Sequence, residues 1–242
     1  MRILITNDDS IYSEGIKILV EAAKKYGEVL VVAPKSEQSA KSHAINVRTG
    51  FEIEVCDVGL GVPSFTVDST PADAVRSAKF GLGQDFDLVF SGVNSGFNLG
   101  EDILYSGTVS AAMEAVLMGK QALAFSVAPH DFQTAADSLT MVLDYVFQNH
   151  LFNFGSLFNI NIPNAPQGIK LTKQGNTNFD TRFEKEQRLF YQRGHHRYHL
   201  DGDSGNDVWA VSHQLVSITP LSADRTDYRV LKKILEKQAI KE

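Results

Sequence analysis

Cysteine is almost absent from this chain: Cys56 is the only one in 242 residues. A lone thiol excludes a disulfide framework and a zinc site of paired cysteines, and a reducing cytoplasm is the expected setting. Long apolar runs are also missing. None approaches the ~20 residues that cross a bilayer, and the first residues show no basic segment followed by an apolar one, so neither a membrane span nor a signal peptide is expected. There is no excess of positive charge. Lys and Arg number 23 against 29 Asp and Glu, for a net charge of −6 and a pI near 5.6. That balance argues against a groove for a nucleic-acid polymer, because phosphate backbones are gripped by clustered cations. Small anions held through a metal remain open. No internal repeat or low-complexity segment is present. With 43% hydrophobic residues, the chain suffices for one large core plus an appendage.

What is present begins with an apolar, β-branched run, Arg2 to Thr6, that stops at Asn7-Asp8-Asp9. Such a run reads as a strand buried on both faces. Its carboxyl end is where open α/β sheets place ligands. Adjacent carboxylates repel, so a pair held there needs a cation or a shared proton, and a hard divalent metal is the simplest candidate.

Apolar positions at helical spacing predict a helix over Glu14 to Tyr26, ended by Gly27, and Glu28 to Ala33 reads as a second buried strand closed by Pro34. Together they predict a right-handed βαβ unit. Ala44 to Val67 alternates more, as antiparallel strands at an edge would. Ser69-Thr70-Pro71-Ala72-Asp73 starts a helix, with Thr70 at the N-cap, Pro71 at the first position and Asp73 at the third. A strand over Asp87 to Phe90, a glycine-rich loop from Ser91 to Gly107, a helix from Val109 to Met118 and a strand from Ala122 to Val127 continue the alternation. A helix over Ala135 to Asn149 and a strand over Leu157 to Ile162 follow. The fold class is therefore α/β, Rossmann-like, with a mostly parallel sheet flanked by helices. Residues 1–164 are read as the core domain and 165–242 as a C-terminal extension, a β-hairpin arm and a terminal helix over Asp224 to Gln238, used in oligomerisation. Trp209 reads as strand, at the core or an interface. His195 and His196, between Arg193 and Arg197, read as a solvated basic face, and His130, His150, His199 and His213 receive no role.

The segment from Ser91 to Glu114 passes through Gly92, Gly96, Gly100 and Gly107 and ends by starting a helix. Loops of this build let backbone N–H groups and a helix N-terminus converge on an anion, for which phosphate is the natural occupant. Neither a Walker loop nor a dinucleotide fingerprint is present, since no Gly-Lys-Ser/Thr follows and the glycine spacing differs.

Taken together, the strand-end Thr-Asn-Asp-Asp, the polar loop around Ser39, the Ser-Thr-Pro-Ala-Asp helix start and the Gly-Val-Asn to Tyr-Ser-Gly-Thr-Val segment resemble the survival protein SurE family of nucleotidases. The likeness continues through Asp-Val-Trp-Ala-Val and Val-Ser-Ile-Thr-Pro-Leu near the C-terminus. It implies a phosphohydrolase of nucleoside 5′- and 3′-monophosphates, also acting on short polyphosphate, with one divalent metal per subunit held by Asp8, Asp9, Ser39 and Asn94. All four offer oxygen, which suits Mg²⁺ or Mn²⁺. Asp8 or Asp9 would orient or deprotonate the attacking water. Asn7, Asn98, Ser106, Gly107 and Thr108 would donate to the phosphoryl group, with Ser42 and His43 near enough in sequence to join the rim. A homodimer or homotetramer through the arm is expected. Covalent attack by Asp8 ranks second, because enzymes of that kind carry a further aspartate where Ser10 stands here. Glu114 reads as a structural partner.

Three positions depart from the family pattern: Ser10, Ala40 and Ser69 stand where glycines are usual. Each resists positive φ. A nucleotide or metal sensor without turnover, and a structural interaction module built on the aromatic C-terminal arm, are the competing function classes.

Overall fold

The computed structural model describes residues 1–179, 181–194, 196–198 and 202–239. Strands β1 (Arg2–Thr6) and β2 (Glu28–Pro34), with helix α1 (Glu14–Ala23) between them, form the expected opening βαβ unit. Then come β3 (Ile53–Val55), β4 (Ser64–Val67), α2 (Pro71–Arg76), β5 (Leu88–Ser95), α3 (Gly107–Leu117), β6 (Gln121–Val127), α4 (Phe132–Gln148), β7 (Leu157–Ile162) and β8 (Gly168–Leu171). The short strands β9 (Thr177–Phe179), β10 (Arg182–Glu186), β11 (Leu189–Arg193) and β12 (His196–Tyr198) precede α5 (Asp207–Ser212), β13 (Leu215–Pro220) and α6 (Tyr228–Ala239).

Nine strands make one sheet in the order β3-β4-β2-β1-β5-β6-β7-β13-β8. The run from β4 to β7 is parallel throughout, while β3 and β13 each lie antiparallel to their inner neighbour. The chain winds outward from β1 to β2 and β4, then returns to β5 on the opposite side of β1. The order therefore reverses between β1 and β5, which opens the crevice where such sheets bind ligands. Asp8 and Asp9 follow β1 at that point, and Asn94 lies near the end of β5.

Strand alternation divides the core in two. Ile3 and Ile5 of β1 pack with Ile16, Leu19 and Val20 of α1 and with Leu139, Val142 and Val146 of α4. Leu4, between them, faces Val75 of α2 and Val109, Ala112 and Ala115 of α3. Both faces are covered, as a parallel sheet requires. The α3 face is alanine-rich, so the helix lies close to the strands and its N-terminus reaches Asp8. The expected helix start at Thr70 is present: its side chain caps Asp73 N at 3.1 Å, with Pro71 next.

Several elements differ from the sequence reading. The strand expected over Asp87 to Phe90 continues to Ser95, because its ladder with β6 resumes after a register shift between Ser91 and Asn94. Within Ala44 to Val67 only β3 and β4 form, and β4 is parallel to β2 rather than part of an antiparallel edge alone. Trp209 lies in a helix: Asn206 caps α5 by accepting from Trp209 N at 2.7 Å, and this Asn-Asp start outweighs the strand-like run of apolar residues. Helix α1 is shorter than its periodicity predicts, ending in a turn before Tyr26. Helix α6 begins at Tyr228, four residues later than expected. The arm is present as the β10–β11 hairpin beside the β9–β12 pair, while β8 and β13, from the same C-terminal stretch, join the main sheet. His195 and His199 lie outside the described residues. No helix among the described residues is long and apolar enough to cross a membrane.

Gly15 in α1 sets how closely that helix approaches the site. A Cβ there would lie 2.1 Å from Val93 O, a backbone atom of β5. Alanine in a helix ordinarily stabilises by about 1 kcal/mol over glycine, but here the sign reverses. Gly15→Ala is expected to destabilise by about 1–3 kcal/mol, read as a lower urea midpoint.

Candidate active site

Asp8 is buried at the end of β1, and its carboxylate lies against the N-terminus of α3. The Thr108 hydroxyl donates to Asp8 Oδ1, and Gly107 leaves the room for it, since a Cβ there would stand 2.8 Å from Asp8 Oδ2. Burial pushes the Asp8 pKa up to about 6, with Thr108 pulling it back and the charge on Asp9 adding to the rise. Asp9, half-buried, is raised as well, foremost by burial, against the pull of Ser95 N at 3.3 Å. Two neighbouring acids therefore both resist ionisation, and a cation would relieve both.

The two loops expected to complete the site are tied to this pair. Gln38 N donates to Asp8 O at 2.7 Å, which sets Ser39 one residue from Asp8, and the Ser95–Asp9 bond does the same for Asn94. Asn94 Nδ2 donates to Gly96 O at 2.7 Å, which leaves Oδ1 of the amide for other partners. Ser39 Oγ donates to Glu37 Oε1 at 2.7 Å and keeps lone pairs. Among the described residues no three His, Cys, Asp or Glu side chains gather as a metal site, so an ion here would need neutral oxygens or water beside the two carboxylates. Beside Asp8, Asn7 Oδ1 is buried with no partner among the described residues, as are the hydroxyls of Thr6 at the end of β1 and Ser91 midway along β5. Two raised acids and an orphaned amide oxygen fit a hard cation.

The residues expected to contact phosphate divide into two groups. Ser106 caps α3 by accepting from Val109 N at 3.0 Å, and so Ser106, Gly107 and Thr108 stand together at Asp8. Val109 N and Ser110 N are both taken up by Ser106, while the Thr108 N–H leans on Asp8, so among the described residues the Gly107 N–H is the first-turn amide left for a ligand. Thr108 spends both its hydroxyl and its N–H on Asp8, and Asn7, Ser42 and Asn98 have their donors engaged elsewhere. Asn7 Nδ2 donates to Ser10 O and Ser13 Oγ, both at 2.8 Å. Ser42 Oγ donates to Leu104 O at 2.7 Å. Asn98 is buried, with Nδ2 on Ser126 Oγ and its carbonyl accepting from Asn159 and Asn161. These three hold the loops that frame the crevice.

Two of the three unusual positions do carry left-handed backbone: φ is 88° at Ser10 and 57° at Ala40. Both flank expected metal ligands. Glu114 is a structural partner, as the sequence reading has it, but sequence reasoning missed what it holds: His43, expected at the rim, and Arg76, given no role. His43 Nε2 lies 2.7 Å from Glu114 Oε2, and Arg76 Nη1 donates to Glu114 Oε1 at 2.8 Å. The only signal was a glutamate at a buried helix position, and its partners are 38 and 71 residues away in the chain.

A doubly wound α/β sheet with a carboxylate pair at its switch point, oxygen-only side chains around it and a helix N-terminus facing it defines a class of proteins that bind small anionic ligands, with a place for a hard cation. Comparison with known proteins narrows this. The profile described as Survival protein SurE matches residues 3–181. Proteins called 5′-nucleotidase SurE from Desulforudis audaxviator and Pelotomaculum thermopropionicum are each 40% identical to this chain, over 96% and 97% of it and over 95% and 94% of their own lengths. The crystal structure of a SurE protein from Aquifex aeolicus superposes with a TM-score of 0.80 at 34% identity, covering 98% of this chain and 100% of that one. The chain belongs to the SurE family.

The raised pKa of Asp8 has a sign that can be checked without substrate. In metal-free protein its burial costs nothing below the ordinary carboxylate pKa near 4, where the group is neutral in both states, and costs most above about 6. Asp8→Asn is therefore expected to stabilise metal-free protein by about 1–3 kcal/mol at pH 7, with the gain fading as the pH falls towards 4. Urea unfolding in EDTA at several pH values measures it.

Proposed function

We propose that this protein is a metal-dependent phosphomonoesterase, a 5′/3′-nucleotidase that hydrolyses nucleoside monophosphates to nucleoside and phosphate, with short polyphosphate as a second substrate class. The relatives called 5′-nucleotidase support the substrate class. The observation that carries the reading is Asp8, buried beside a second carboxylate at the switch point and facing the N-terminus of α3.

One Mg²⁺ or Mn²⁺ per subunit would be held by Asp8, Asp9, Ser39 and Asn94. When bound, the ion supplies positive charge to the phosphoryl oxygens and acidifies a water for in-line attack on phosphorus. Asp8 or Asp9 would orient that water or take its proton. The Gly107 N–H, the Ser106 hydroxyl and the dipole of α3 meet the phosphoryl oxygens as charge moves to the leaving oxygen. Asn7, Ser42 and Asn98 serve this geometry by fixing the neighbouring loops. The lone thiol Cys56 suits a cytoplasmic setting, and the net charge of −6 argues against a nucleic-acid polymer as substrate.

Assembly is proposed through the C-terminal elements. Helix α6 presents Val230, Leu231, Ile234 and Leu235 on one face, each between 41% and 55% exposed, and the β10–β11 hairpin exposes Phe183, Leu189 and Phe190. Apolar side chains in such numbers mark a face that a second copy covers, in a homodimer or homotetramer.

Phosphate release from a panel of nucleoside 5′- and 3′-monophosphates tests the activity. EDTA is expected to abolish it and Mn²⁺ or Mg²⁺ to restore it, and Asp9→Asn to remove several kcal/mol of transition-state stabilisation. Full turnover in EDTA would overturn the metal; no release from any nucleotide would favour a sensor that binds without turnover. Deleting residues 181–194 is expected to lower the mass seen by light scattering, and an unchanged mass would retire assembly through the arm.

A further inference from the structure

Residues 35–52, between β2 and β3, contain no helix or strand, yet they carry Ser39. Their backbone is held by a few bonds to other elements. Gln38 N reaches Asp8 O, and Ser42 N and Oγ reach the carbonyls of Tyr105 and Leu104. Further along, Ala44 O accepts from Thr70 Oγ1 at 2.7 Å and Asn46 N donates to Asp73 Oδ2 at 2.8 Å. Between these two sets, the His43 ring reaches α3, with Nε2 2.7 Å from Glu114 Oε2.

Glu114 is suited to that task. It lies on α3, the helix whose N-terminus faces Asp8, and it is 4% exposed. Burial opposes its charge, but the bonds and charges from His43 and Arg76 outweigh this and keep the carboxyl below its ordinary range. One carboxylate oxygen joins α2 through Arg76 and the other joins the loop through His43. Because Arg76 stays on Glu114, loss of the His43 ring does not strand a buried charge.

We infer that His43 and Glu114 form a positioning pair that fixes the loop of residues 38–44 on α3 and so presents Ser39 to the ion held by Asp8 and Asp9. Neither touches the reacting atoms. The inference rests on the metal reading above and assigns a role to residues outside it. Partners behind a metal ligand set its orientation, and losing one typically weakens the metal 10- to 100-fold.

The test is Mn²⁺ binding to the full chain by calorimetry and by the electron paramagnetic resonance of free Mn²⁺, beside amide exchange of residues 38–44. His43→Ala is expected to bind Mn²⁺ at least about tenfold more weakly and to exchange faster over 38–44. In nucleotide hydrolysis, the Mn²⁺ concentration for half-activation should rise by more than kcat falls. His43→Gln, whose amide still donates to Glu114, should recover most of the affinity. Unchanged Mn²⁺ affinity in folded His43→Ala would overturn the inference, as would weakened affinity with unchanged exchange. If His43→Ala fails to fold, His43→Gln decides through the same two readouts: affinity and exchange close to wild type support the pair, and tenfold weaker binding with unchanged exchange overturns it. Wild-type protein that binds no Mn²⁺ overturns the metal reading first and this inference with it.

Discussion

Asp8 is taken out of water next to a second carboxylate, and the surrounding structure is arranged about that expense. Burial and the neighbouring charge both oppose ionisation, and the offsetting contributions come from the Thr108 hydroxyl and the N-terminus of α3. For the helix to supply them it must lie close to β1. The alanines that line its inner face and the missing side chain at Gly107 make that approach possible. A carboxylate pair held this way is poorly satisfied by the protein alone, which is the condition under which a bound cation adds most.

Around the pair, polar side chains spend their bonding capacity on loops. Asn98, Asn159, Asn161 and Ser126 form a buried network under residues 96–100. Asp207, at the start of α5, accepts from Gly100 N and Gly175 N and so joins the site loop to the C-terminal stretch. Burial raises the pKa of that carboxyl, and the backbone N–H groups of Gly100, Gly175, Val208 and Asp207 itself pull it only part of the way back. The appendage is thus coupled to the crevice through hydrogen bonds as well as through β8 and β13 in the sheet.

Strained backbone sits at the same place. Ser10 and Ala40 adopt positive φ next to Asp9 and Ser39, a conformation that L residues adopt at some cost. Ser69, the third departure from the family pattern, is not among the residues with positive φ and instead donates to Asp73 Oδ2 at 2.6 Å. Strain of this kind persists only where neighbouring contacts over-determine the backbone. The bonds from Asn7 to Ser10 O and from Gln38 to Asp8 O are such contacts.

Local pattern was sufficient for the alternating strands and helices, because buried parallel strands are continuous apolar runs and amphipathic helices repeat at 3.6 residues. It also located the Thr70 cap and the carboxylate pair at the end of β1, both of which depend on residues adjacent in the chain. It was insufficient for α5, where Asn206 and Asp207 cap a short helix inside an apolar run, and for the end of β5, whose ladder depends on β6. The bearings of Asn7, Ser42 and Asn98 were likewise invisible, since an amide or hydroxyl is chemically suited to a phosphate and to a carbonyl alike. Only the tertiary structure decides which of the two it faces. The same holds for Glu114, whose partners His43 and Arg76 reach it from two other segments: sequence alone determined that a charge stood on α3, and packing decided that the charge would hold a loop.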